Sequence, residues 1–401
     1  MSRRRADDVG SAHSRTGAAP RRVAILMGLD VGCCRNLIRG IHAYSLEKRD
    51  WILRNSPCEA KVIPWVREWK PDGIIATVFD REAARALVRL RRPTVDTAFA
   101  VRGLKFPLVD VDHAAVGRLA AEHLLELGYV HFGFLGSKTA CYSEVRESSF
   151  AEVLAAAGQS LSRCHVEFLY EDFATSSWKR DEPRILRWMD QLPKPAAVFA
   201  CNDIAGRGLI DICAQLGLRV PEQVAILGAD DDELESLLTI PPLSSVAIPA
   251  RQVGYEAAAV LDRMMAGEDV EPQRFLPPFR VIVRKSTDMR ATDDPFIAAA
   301  LSYIRAHITE EVRVTAIATA AGVGRRELER RFRKALGCSV LDDIRSVRIQ
   351  RVKELLAGTD LAMPAIARRS GFSSAERMAV VFRQIVGMTP KAYRRHAGSR
   401  G

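Results

Sequence analysis

Ala316-Ile317-Ala318 recurs as Ala365-Ile366-Ala367, and Gly322 recurs as Gly371 at the same offset of 49. Phe332-Arg333 recurs as Phe382-Arg383, and Gly337 as Gly387, at an offset of 50. A repeat of this length restricts the C-terminal segment to two copies of one supersecondary unit. The extra residue falls just after the turn of the second copy. Asp293-Asp294-Pro295 is a helix start, an Asp cap with Pro in the first turn. Beyond it the spacing is helical, with Gly punctuation and no strand alternation.

Each copy reads as helix, turn, helix. The first helix carries small apolar residues, Ile317, Ala318 and Ala321 in copy one. Gly322 then permits the left-handed turn that joins two helices at a steep angle. The second helix begins near Gly324 or Ser373 and buries Leu328 and Phe332 in copy one. In copy two it buries Met378, Val381 and Phe382. Its remaining face is free, and a DNA major groove is wide enough to admit one α-helix. In copy one that face holds Arg325, Arg326, Glu329, Arg330 and Arg333. In copy two it holds Ser373, Ser374, Ala375, Glu376 and Arg377, with Arg383 further on. An arginine there either grips guanine with two hydrogen bonds or holds a phosphate, and the spacing leaves both open.

Charge agrees with a polyanion at this end. Residues 293–401 carry 20 basic and 11 acidic side chains, whereas residues 23–292 carry 33 and 36. A basic block joined to a near-neutral body suggests that one end meets nucleic acid. Residues 1–22, with 6 basic and 2 acidic side chains, read as a disordered tail.

The preceding stretch alternates strands and helices. Arg22–Met27 is an apolar strand, followed by a helix over Cys33–Leu46. Strands follow at Trp51, Gly73–Val78, Pro93–Asp96 and Leu108–Val111, with a helix at Glu82–Leu90. A helix over Ala114–Leu127, a strand over His131–Leu135 and a helix over Val145–Ala157 come next. Strand 197–200, helix 203–216 and strand 224–227 complete the series. This alternation, with Gly at helix ends, predicts parallel sheets covered on both faces, and its length fits two lobes.

Ligands of open α/β sheets bind outside the carboxyl ends of strands. Asp30 follows the first strand, and Arg35 opens the next helix. Asp80 follows the third strand. Asn202 and Asp203 follow VFAC, Asp230, Asp231 and Asp232 follow VAILGA, and Arg146 lies in the helix after HFGFL. Carboxylates, an amide and an arginine suit a polyhydroxyl ligand held between lobes. Helix capping is the competing explanation for the Asp and Asn residues. No G-x-S-x-G, Walker loop or metal triad is present, so a catalytic reading has no motif behind it. The eight cysteines form no Cys-x-x-Cys pair, which fits free thiols in a reducing cytoplasm. No apolar run approaches the roughly 18 residues of a membrane span.

The run Val224–Glu256, VAILGADDDELESLLTIPPLSSVAIPARQVGYE, resembles the closing segment of LacI-type, periplasmic-binding-protein-like effector domains. Tyr142–Phe150, YSEVRESSF, matches that family's stretch around its sugar-binding arginine, which falls on Arg146. The resemblance covers about 22–285 and places effector contacts on Asn202, Asp203 and Asp230. Residues 365–395, AIARRSGFSSAERMAVVFRQIVGMTPKAYRR, resemble the AraC-type DNA-binding domain, over about 295–396. That likeness implies a linker helix over Ser339–Leu356. It puts base readers on Arg326, Glu329 and Arg330 in copy one, and on Ser374, Ala375 and Glu376 in copy two. Met378 stands where that family has an aromatic residue or Leu, and Val380 where a basic reader is common. A LacI-like sensor placed before an AraC-type reader resembles the family of xylose-operon regulators, and Val281–Asp288, with its V-I-x-R-x-S-T-D pattern, supports the likeness.

The expected architecture is therefore an α/β two-lobed periplasmic-binding-protein-like sensor over 22–285, a linker over 286–294, and an all-α domain with two helix-turn-helix motifs over 295–397. Short tails at 1–21 and 398–401 flank these parts. The expected partners are double-stranded DNA, a small sugar effector (xylose or a relative), a second copy of the chain and RNA polymerase. No cofactor, metal or membrane is expected.

Overall fold

The computed structural model describes residues 20–48, 51–167, 176–288, 292, 294–310, 312–359 and 361–398. The expected N-terminal tail falls largely outside them, but Arg21 opens a strand. The chain forms two compact units. One comprises Met1–His113, Thr139–Val145 and Ile248–Phe279; the other comprises Ala114–Lys138, Arg146–Ala247 and Arg280–Gly401.

The first unit is built on a six-stranded parallel sheet. Its strands are β1 (Arg21–Leu26), β2 (Trp51–Ser56), β3 (Gly73–Ala76), β4 (Thr94–Asp96), β5 (Leu108–Val111) and β11 (Gln273–Leu276), in the order β11-β5-β4-β3-β1-β2. Val23 to Met27 are buried, because a parallel strand covered on both faces needs a continuous apolar run. Helix α1 (Gly32–Lys48) crosses α9 (Ala250–Met265) at very close range. A Cβ at Gly40 would lie 1.9 Å from the Arg251 carbonyl, and one at Gly254 would lie 2.0 Å from the Leu37 carbonyl. These two glycines let the backbones touch.

The second unit repeats the scheme. β6 (His131–Ser137), β7 (Leu161–Val166), β8 (Ala196–Ala200), β9 (Val224–Asp230), β10 (Ser244–Ala247) and β12 (Arg280–Ile282) run in the order β12-β10-β9-β8-β6-β7. Only β12 is antiparallel, pairing with β10. In both sheets the chain order reverses in the middle, at β1/β3 and at β6/β8, the switch points where α/β folds bind ligands.

Sequence places Ser286 and Thr287 in a linker, but both are fully buried against this sheet. Ser286 donates to the Ile226 carbonyl at 2.6 Å. The polar side chains of Ser286 and Thr287 find partners inside, so the segment is ordered as part of the lobe.

The C-terminal helices belong to this unit too. α10 (Pro295–Ala306) starts at an Asp294 cap whose carboxylate accepts from Phe296 N–H at 3.0 Å. α11 (Val314–Ala320) and α12 (Arg325–Leu336) form the first helix pair, α14 (Met363–Arg369) and α15 (Ala375–Val386) the second. α13 (Val340–Gly358) joins them and α16 (Pro390–Gly398) closes the chain. The pairs own separate cores. Ile304, Ile317, Leu328 and Phe332 fill one, Val352, Ile366, Met378 and Phe382 the other, and α13 contributes Ile344 to the first and Ile349 to the second. Gly322 and Gly371 take φ of 73° and 75° at the turns, as the repeat requires.

Candidate effector site and nucleic-acid interface

Four of the six sequence-selected effector residues meet at the carboxyl ends of β8 and β9. Arg146 extends from α5 (Cys141–Ala156) and is 2% exposed. α5 lies tight against α4 (His113–Glu126), because a Cβ at Gly117 would come within 2.3 Å of the Arg146 carbonyl. The Arg146 guanidinium donates to the Cys201 carbonyl, and its Nη2 donates to Asp230 Oδ1 at 3.2 Å. A buried cation requires such pairing, since an unpaired one carries a heavy desolvation penalty.

Asn202 is fully buried and caps α7 (Asp203–Gln215), accepting from Ala205 N–H at 2.8 Å. Capping therefore falls to Asn202, and Asp203 turns inward instead. Asp203 accepts from Ser245 Oγ at 2.6 Å and from Asp232 N–H at 2.8 Å. Burial pushes its carboxyl well above the usual carboxylate range, and the neighbouring charge of Asp230 pushes the same way. A Cβ at Gly228 would lie 2.1 Å from Asp203 Oδ1, so that glycine makes room for the carboxylate. The cluster thus offers one guanidinium, two carboxyl groups and one amide. Such a mixed set of donors and acceptors matches vicinal hydroxyls. Asp80 and Asp232 are caps, of α3 (Arg81–Leu90) and α8 (Glu233–Leu237) respectively.

Asp30 and Arg35 lie in the first unit, at the head of α1. Asp30 is exposed, and Arg35 Nη1 donates to the Leu29 and Asp30 carbonyls at 2.9 and 2.8 Å. Arg35 thereby ties down the loop after β1. Sequence reasoning missed an aromatic group in the same unit. Phe99 follows β4 with a left-handed φ of 38°, stacks 6.0 Å from His113 and meets Phe275 edge-on at 6.1 Å. No sequence pattern signals the positive φ at this bulky residue. Ser245, which bridges Asp203 and the Asp231 N–H, was also missed, although it lies within the Val224–Glu256 run.

The interface residues divide by copy. On α12, Leu328, Phe332 and Leu336 are buried while Arg325, Arg326, Arg330 and Arg333 are exposed. Arg325 pairs with Glu329 at 3.0 Å and Arg330 with Glu327 at 2.6 Å. Hydrogen bonds from Arg330 and Arg331 lower the Glu327 carboxyl to about 2. Exposed pairs of this kind are weak and screened by solvent, so a base or phosphate can displace them. Arg330 also faces a crevice of about 590 Å³ lined by Gly128, Val130 and Pro195 of the same unit. On the second copy, Ser374 caps α15 by accepting from Arg377 N–H at 3.2 Å. Ser373, Glu376 and Arg377 are exposed and Ala375 is half-buried.

Comparison with known proteins matches residues 121–287 to a periplasmic binding protein-like domain and residues 317–396 to a helix-turn-helix domain. The xylose operon regulatory protein of Escherichia coli K12 is 29% identical over 384 residues, spanning 93% of this chain and 96% of that protein. Its Haemophilus influenzae namesake is 29% identical over 333 residues, spanning 80% and 84%. A solved structure described as a xylose-binding transcription activator superposes with a TM-score of 0.71 at 28% identity, covering 94% of this chain and 98% of that one. No helix among the described residues is long and apolar enough to cross a membrane.

Proposed function

We propose that this chain, which joins a periplasmic binding protein-like sensor to an AraC-type helix-turn-helix reader, is a sequence-specific transcription regulator controlled by a small carbohydrate. The observation that carries the reading is α12, whose apolar side fills its own core while four arginines stand exposed on the other side. Nothing in the helix's own packing requires those arginines. A major groove supplies the partners they fit.

The effector is bound by Arg146 and Asp230, with Asn202 and Asp203 shaping the floor. Capture of vicinal hydroxyls replaces part of the hydrogen bonding that Arg146 and Asp230 now share. The sugar shifts the regulator only by its difference in affinity for the two states. D-xylose is the first effector to test, because the relatives that span most of the chain are xylose operon regulators. D-ribose, L-arabinose and cellobiose complete the panel. The genes controlled are those of sugar breakdown, and the setting is the cytoplasm. The regulator works as a homodimer beside RNA polymerase. The exposed apolar side chains Leu234, Leu237, Leu238 and Ile240 offer surface for self-association.

Thermal denaturation tests the sensor. A sugar at 100 times its dissociation constant adds about 2.7 kcal/mol to stability. Arg146→Ala is expected to abolish that shift and leave DNA affinity in the absence of sugar within about twofold, roughly 0.4 kcal/mol. A variant that keeps the full shift, or loses DNA binding together with it, contradicts the assignment.

A further inference from the structure

In the second unit, hydrogen bonds, short backbone links and one ion pair join the candidate effector carboxylate to the root of the reader. Asp230 ends β9 and Asp231 follows it, with φ of 116° and 56°, two successive residues in a region that side chains rarely adopt. Asp231 is held there from two sides. Its N–H donates to Ser245 Oγ at 2.9 Å, and its carboxylate accepts from Arg284 Nη2 at 2.6 Å.

Arg284 stands just beyond β12, inside the V-I-x-R-x-S-T-D run. Its Nη1 donates to the Leu243 carbonyl at 2.9 Å, and its own N–H donates to Ser244 Oγ at 2.8 Å. Thr287 donates to the same Ser244 Oγ at 2.8 Å. One residue later, Asp288 faces Arg305 of α10 at 3.6 Å, and Ser302 of α10 donates to Glu222 at 3.3 Å. Only residues 285–287 separate the arginine that grips Asp231 from the aspartate that meets the reader's first helix.

We propose that Arg284 is a positioning residue that couples occupancy of Asp230 to the placement of the reader. The inference rests on the reading of Asp230 as an effector contact. Asp230 and Asp231 share a peptide plane, so a sugar that reorients Asp230 turns that plane and moves the Asp231 carboxylate. The planar Arg284 fork follows that carboxylate while its second arm and backbone hold β10. Movement therefore passes into 284–288 and reaches α10 through Asp288. The peptide at 230–231 is the element with two arrangements, since its present one is sterically disfavoured and persists through the Ser245 and Arg284 bonds.

The test measures coupling, which a merely structural role leaves unmoved. Dissociation constants of the full chain for D-xylose, and for a duplex selected from a randomised library, are measured alone and together. Allosteric coupling is typically about 5–150-fold and must be the same in both directions. The wild-type chain is expected to fall in this range. Arg284→Gln brings the factor close to one while each separate affinity stays near wild type. Arg284→Lys, which keeps the charge and loses the fork, falls between. Asp231→Asn, which retains the backbone bond to Ser245 and suits a left-handed φ, gives the same loss of coupling if Arg284→Gln folds poorly. Undiminished coupling in these variants overturns the role of Arg284 while leaving the effector reading intact. A wild-type chain on which none of the panel sugars alters DNA affinity overturns that reading, and this inference with it.

Discussion

The two helix-turn-helix copies share a frame and differ in their outer faces. Both turn at a left-handed glycine, both bury a phenylalanine at the same place, and both end the second helix on a left-handed glycine, Gly337 or Gly387. Copy one exposes four arginines on α12. Copy two exposes Glu376, Arg377 and Arg383 with Val380, Ile385 and Met388, so its surface has fewer arginines and more apolar groups. Duplication has preserved what the fold needs and let the reading chemistry diverge. Copy one carries the more polar face, and copy two the more apolar one.

The frames also differ at one crowded point, and the largest expected effect lies there. A Cβ at Gly371 would come 2.1 Å from the Ile308 carbonyl, whereas Gly322 has open space. Gly322→Ala pays only the left-handed cost of about 1–2 kcal/mol. Gly371→Ala adds an overlap worth about 1–3 kcal/mol more. Urea unfolding of the two variants checks this, and equal losses break the asymmetry.

Next in size is the contrast between faces. Arg326→Ala is expected to cost about 1–3 kcal/mol of discrimination between the selected and a mismatched duplex. Glu376→Ala should change that discrimination by less than Arg326→Ala does, because a lone carboxylate lacks the bidentate fork of an arginine. Competition binding at fixed salt reads both. A loss of affinity shared equally by every duplex, with a shallower salt dependence, would make Arg326 a phosphate contact instead.

The caps give the smallest effects. Ser374→Ala should cost about 1 kcal/mol, because it removes an acceptor for a helix N–H. Copy one has Gly324 at the equivalent place with no side-chain cap. Gly324→Ser should gain a few tenths of a kcal/mol in thermal denaturation.

Where neighbouring residues decide the structure, the sequence was readable. The apolar strands β1, β3, β8 and β9 and both helix pairs announce themselves through periodicity and glycine placement. β7 did not, because it is an edge strand of LSRCHV with only Cys164 and Val166 buried. α6 (Ser176–Gln191) also escaped, since Pro183 and a heavily charged sequence argue locally against a helix. In the site, Arg146 and Asp230 were individually visible as polar residues after strands. Their pairing across 84 positions was not, because a long-range contact depends on strand order. The Asp231–Arg284 link is hidden for the same reason, and of the two residues for which capping competed with ligand contact at this turn, Asn202 takes the cap and Asp203 does not.

The most direct test is the affinity of the whole chain for its selected duplex and for a scrambled one, each with and without D-xylose. The account predicts a preference of at least about 10³-fold for the selected duplex, as specific DNA binders show, and a change in that affinity when sugar is added. Equal affinity for both duplexes would mean that the arginines of α12 do not read bases, and the assignment would fall.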